Sequence, residues 1–142
     1  MNKLKLPFFG EHYVGFTIPT RGTFYVCDHD AVWLVTLGTE PTVQETDLNP
    51  YEFVEGRTDF LGLVFDGLQE NAPLLSVGDN AITYDFDPTA ERVVVKYVVA
   101  GHSGEIDFEI WTHSWFSASF SDDGCHLILA EPDEIAVYKT GL

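Results

Sequence analysis

Residues 104–112 read GEIDFEIWT, the most regular alternation in the chain. Side chains of a strand alternate with period two, so Ile106, Phe108 and Ile110 share one face and Glu105, Asp107 and Glu109 the other. The apolar set predicts a core beneath the strand. The acids then stand in a row with successive carboxylates roughly 7 Å apart, and such a row repels itself.

The same chemistry extends outward in both directions. Short runs of Val, Ile, Phe, Tyr, Trp and Thr are bounded by Gly, Pro, Asn and Asp, which is the punctuation of strands and turns. Strands are expected at His12–Ile18, Thr23–Asp28, Ala31–Leu37, Thr42–Thr46, Phe60–Phe65, Leu74–Val77, Ala81–Phe86, Arg92–Val99, Glu105–Thr112, Trp115–Ser121, Cys125–Ala130 and Ile135–Lys139. Helical spacing is confined to single turns at Asn49–Arg57 or Gly67–Asn71. The expectation is an all-β chain forming an antiparallel β-meander, either a β-sandwich or a set of blade-like hairpin repeats (a partial propeller). A length of 142 residues with 45% hydrophobic content suits one domain over 1–142.

A weak internal repeat appears when Thr23–Gly38, TFYVCDHDAVWLVTLG, is laid without a gap on His126–Gly141, HLILAEPDEIAVYKTG. Phe24 meets Leu127, Val26 meets Leu129, Val32 meets Ile135 and Leu34 meets Val137. Cys27 falls on Ala130, a small core position. Leu74–Asp87 is a poorer copy, so hairpin repeats are expected near 12–38, 60–87 and 92–141.

The run SASFSDDGCHLILAEPDEIAVYKTG, Ser117–Gly141, resembles the last three strands of a WD-repeat β-propeller blade: a strand, an Asp-Asp-Gly turn, a second strand, an Asp near the next turn and an Ile-x-Val-Tyr strand. The Trp-Asp pair of that family is absent. A closed propeller needs at least four blades of about 40 residues, so the resemblance implies a meander completed by oligomerisation or merged into a sandwich. It implies a binding scaffold and carries over no functional residue.

Seven Lys and Arg against 23 Asp and Glu give a net charge of -16. Nucleic acid and anionic membranes are excluded as partners, because both are bound by clustered cations and the basic residues here are scattered. The opening MNKLKLPFFGEH lacks an apolar run of signal-peptide length, so a cytoplasmic location is expected, with Cys27 and Cys125 as free thiols.

No cofactor is called for. Cys27, His29 and Cys125 offer soft metal ligands, but at spacings unlike any zinc ribbon or finger, and packing is the simpler reading. Asp85, Asp87 and Glu91, or Asp28 and Asp30, lack the further acid and glycine of a calcium loop, and Asp87-Pro88-Thr89 reads as a turn. Gly101-His102-Ser103-Gly104 is a hairpin loop, since a nucleophile elbow needs a glycine where Glu105 stands. The histidines form no triad legible in sequence.

The acids themselves remain. Glu105, Asp107 and Glu109, with Asp85 and Asp87, form an expected partner-binding surface, with Trp111 and Trp115 as aromatic anchors. If Arg92–Val99, Glu105–Thr112 and Trp115–Ser121 are neighbours in one sheet, that surface lies open, flanked by Trp111, Trp115 and Tyr97 near its edges. The resulting expectation is an acidic protein-binding module that captures a basic protein surface, as inhibitors and immunity proteins of nucleases do. Two alternatives stand beside it: an assembly module forming a homo-oligomer through β-edges, and a small-molecule or carbohydrate-active enzyme.

Overall fold

The computed structural model describes residues 1–7, 9–64, 67–68 and 72–141. In chain order its elements are β1 Asn2–Leu4, β2 Gly15–Thr17, β3 Thr23–Cys27, β4 Val32–Thr36, β5 Thr42–Glu45, α1 Pro50–Val54, β6 Phe60–Val64, β7 Gly67–Leu68, β8 Ser76–Val77, β9 Asn80–Thr83, β10 Arg92–Val99, β11 His102–Glu109, β12 Ser117–Phe120, β13 His126–Glu131 and β14 Glu134–Lys139. All pair antiparallel, in three sheets: β5-β4-β3-β2-β6-β7, β11-β10-β9-β8 and β1-β14-β13-β12. The all-β antiparallel expectation holds.

The run HLILAE of β13 dictates how the sheets stack. Leu127, Ile128, Leu129, Ala130 and Glu131 are all fully buried, so both faces of this strand are covered, as a continuous apolar run requires. Leu127 and Leu129, with Ala118, Phe120 and Ala136, pack on Val93, Val95, Phe108 and Ile110 of the β8–β11 sheet. Ile128, Ala130 and Val137 pack the other way, on Phe16, Phe24, Val26 and Val35 of the six-stranded sheet. The β12–β14 sheet is therefore the middle layer of three. Its edges are also occupied: β1 lies along β14, and Leu74 bonds β12 by donating N–H to Ser119 Oγ (3.0 Å) and accepting from Phe120 N–H (2.9 Å).

The internal repeat is a repeat of register. Pairs Phe24↔Val35, Tyr25↔Leu34, Val26↔Trp33 and Cys27↔Val32 of the first hairpin map onto Leu127↔Tyr138, Ile128↔Val137, Leu129↔Ala136 and Ala130↔Ile135 of the last. Cys27 is buried where Ala130 is. The poorer copy, Leu74–Asp87, pairs Ser76↔Ala81 and Val77↔Asn80, a register shifted by two residues relative to the others. The blade-like segment does form three meandering strands, β12 to β14, and β1 adds a fourth.

Several boundaries differ from expectation for local reasons. β11 begins at His102 because Ala100 and Gly101, both at positive φ (51° and 79°), make a two-residue hairpin turn of the I′ kind. β1 was not expected, as its three residues NKL carry no alternation. Helix α1 forms where Asn49–Arg57 predicted a turn of helix. Asn49 Oδ1 accepts the N–H groups of Tyr51 and Glu52, and Pro50 occupies the first helical position. Gly67 and Leu68 belong to β7 rather than a helix, and the rest of the predicted turn, 69–71, lies outside the described residues, as does Phe65. Among the described residues no helix is long and apolar enough to cross a membrane.

Candidate functional site

The β8–β11 sheet is an outer layer, and its far face is open. Along β10 the residues alternate strictly: Val93, Val95 and Val99 are buried, whereas Arg92, Val94, Lys96 and Val98 are exposed. β11 answers with Phe108 buried, Ile106 half-buried, and Ser103, Glu105, Asp107 and Glu109 exposed. The opening stretch thus does what its period implies: Ile106, Phe108 and Ile110 join the core and the three acids face outward.

The register shows what the acids face. Glu109 sits opposite Arg92, Asp107 opposite Val94 and Glu105 opposite Lys96. Arg92 reaches diagonally, its Nη1 3.1 Å from Asp107 Oδ1. The self-repulsion of the row is therefore relieved by two cations one strand inward, a cross-strand arrangement that stabilises modestly because the pair is exposed. The acids form the outer rim, and the cations stand behind them. A shallow depression of about 440 Å³ lies on this sheet, bounded by Thr83, Lys96, Val98, Ser103 and Glu105. Val94 and Val98, both exposed, give the face apolar area as well.

Trp111 follows the rim and is 58% exposed, with its backbone N–H held by Glu131 Oε1 at 2.7 Å. It lies on the surface, as expected. Trp115 does not: it is buried in the core between the middle and six-stranded layers, so it offers no area to a partner, and among the described residues its Nε1 has no hydrogen-bond partner. Tyr97 points inward, its ring covering Gly104, because it alternates with the exposed Lys96 and Val98. The condition on which both aromatics were placed beside the acids does not hold, since β12 belongs to the middle sheet and β9 takes the place beside β10.

Asp85 and Asp87 are exposed on the other flank of β10. Asp85 borders Val94 and Lys96 across a small hollow. Asp87 closes the turn that its sequence predicts, with Oδ1 accepting Thr89 N–H (2.9 Å) and the Thr89 hydroxyl (2.7 Å). These bonds hold its carboxyl below the usual carboxylate range. In the first hairpin Asp28 closes the turn, its carboxylate accepting from Asp30 N–H, Ala31 N–H and Trp33 Nε1–H.

The remaining candidates resolve into local structure. Cys27 is buried and its thiol is pushed up to about 12 by burial and by Asp28, while Cys125 is exposed; both are free. Among the described residues no three His, Cys, Asp or Glu side chains gather into a metal-holding cluster. Gly101 is part of the hairpin turn, and His102, Ser103 and Gly104 begin β11, so the strand-to-helix geometry of a nucleophile elbow is not there.

Two features escaped sequence reasoning. The alternation of RVVVKYVV, Arg92–Val99, places Arg92 and Lys96 on one face, a signal obscured by counting the cations as scattered. Glu131, the acid that ends the apolar run of β13, is fully buried and accepts the N–H groups of Trp111, Thr112 and Asp133, tying the end of β11 to the tip of the β13–β14 hairpin.

Compared with models of known protein families, with curated proteins and with solved structures, the chain matches none.

Proposed function

We propose that this chain is an acidic protein-binding module whose β11 rim captures a basic protein surface, in the manner of an inhibitor or immunity protein of a nucleic-acid-handling protein. The observation that carries the reading is the placement of Glu105, Asp107 and Glu109 on the outermost strand of an outer layer, in a chain of net charge -16, with exposed Trp111 directly after them. Charge of this size and sign steers a cationic partner to the surface, and a part-exposed Trp supplies contact area once water is excluded. Carboxylates at the rim stand where a phosphate would stand against the partner's Lys and Arg. Asp85 and Asp87, on the far flank of β10, extend the negative field without joining the rim.

The test is capture at low salt from a cell lysate, with the wild type and with a variant carrying Glu105→Gln, Asp107→Asn and Glu109→Gln. The expected result is a basic protein held by the wild type, released as salt rises, and lost by the triple variant. A captured set that is the same for both proteins, or that survives high salt unchanged, contradicts the reading.

A further inference from the structure

We infer that β11 is a docking edge for an extended, basic strand of the partner, which adds to the β8–β11 sheet as its fifth strand. This rests on the proposed capture of a basic surface and specifies how it is achieved.

The hydrogen-bond pattern of the sheet carries the inference. Ile110 donates its N–H to Glu91 O (2.8 Å), continuing the β10–β11 register. Bonded and non-bonded pairs alternate in an antiparallel ladder, so Phe108, Ile106, Gly104 and His102 turn their backbone groups toward β10. Ser103, Glu105, Asp107 and Glu109 turn theirs away. An independent bond agrees: Ile82 N–H to Leu75 O (2.9 Å) assigns Ala81 and Thr83 to β10, hence Lys96 and Val98 to β9, and Val95, Tyr97 and Val99 to β11. The residues whose amides and carbonyls line the open edge are therefore the acid-bearing residues themselves. At eight residues β11 is also long for an edge; β12 is bonded by Leu74, and β1 and β8 are three and two residues long.

Charge selects the occupant. An antiparallel strand laid against β11 places side chains directly opposite Glu105, Asp107 and Glu109 on the same face. β10 already shows a strand that satisfies these positions from the inner side, with Arg92, Val94 and Lys96. A partner strand with Lys or Arg at alternate positions repeats that solution from outside, and its first residues come within reach of Trp111. A second copy of this chain is opposed at the same edge, because antiparallel pairing of two β11 strands sets acids against acids.

The experiment measures binding of synthetic peptides to the full chain at low salt by Trp fluorescence. One is a strand-forming peptide with Lys at alternate positions. The second is the same sequence N-methylated at the residues that would bond to β11, which keeps charge and removes donors. The expected result is binding of the first, with affinity weakened more than roughly tenfold by N-methylation and by Glu105→Gln with Asp107→Asn and Glu109→Gln. Equal binding of both peptides, lost in the triple variant, overturns strand addition while leaving electrostatic capture intact. Failure of the first peptide, with a basic protein still captured through the acids, also overturns it. Binding of the first peptide unaffected by the triple variant overturns both readings.

Discussion

At the scale of single residues, Glu131 is the most informative side chain because it is an acid with no exposure and three backbone donors. Burial lifts its carboxyl above the ordinary value of 4.5, and the N–H groups of Trp111, Asp133 and Thr112 pull the other way without cancelling that lift. A carboxyl raised in the folded state binds its proton more tightly there. Its contribution to stability is full below pH 4.5 and is lost as pH rises through the folded value. Glu131→Gln removes this dependence, so the stability of the wild type relative to that variant falls as pH is raised above 4.5 in denaturant titrations; parallel curves contradict the assignment. Glu131→Ala leaves three donors without their acceptor and costs about 3 kcal/mol. Ala100 offers the opposite case: a non-glycine residue at φ 51° in a turn that favours Asn-Gly. Ala100→Asn raises stability by about 1 kcal/mol in the same titration, and a loss would show that the turn is held by contacts other than its backbone preference.

At the scale of elements, β11 and β13 present two kinds of strand. One face of β11 is solvated, whereas β13 is covered on both, so their tolerance to charge differs. Ile128→Asp and Leu129→Asp, which point to opposite layers, each abolish cooperative unfolding, because a carboxylate is left in an apolar core. Asp107→Lys at the rim leaves the far-UV circular dichroism and the unfolding midpoint close to wild type; loss of structure there would mean that the face is covered. The faces of β11 were legible in Ile106, Phe108 and Ile110, and the matched registers of the first and last hairpins were legible in the ungapped alignment, since both follow from side-chain period alone. The layer that each face meets was not legible. HLILAE announces a strand buried on both sides without naming its neighbours, and nothing in WFSASF separates a strand beside β11 from one beside β13. That is why Trp115 reads as an exposed anchor in sequence and lies in the core in structure.

At the scale of the whole molecule, the middle sheet packs apolar residues on both of its faces, and the acidic row of β11 lies on an outer layer. The sign and size of the chain's charge were plain in composition, but its organisation depended on register, which sets Arg92 opposite Glu109 and Lys96 opposite Glu105 along the rim of β11. The same rim discourages self-association through this edge. Neutralising Glu105, Asp107 and Glu109 together therefore increases concentration-dependent self-association in light scattering, and an unchanged mass distribution would show that the acids do not guard the edge. The central claim is that β11 is a recognition edge, and residue-resolved amide exchange of the chain bound to its captured basic partner tests it most directly. Predicted is new protection at the amides of Ser103, Glu105, Asp107 and Glu109, with His102, Gly104, Ile106 and Phe108 changed little because they are already bonded to β10. Protection confined to other strands, with the rim amides exchanging as in the free protein, would contradict it.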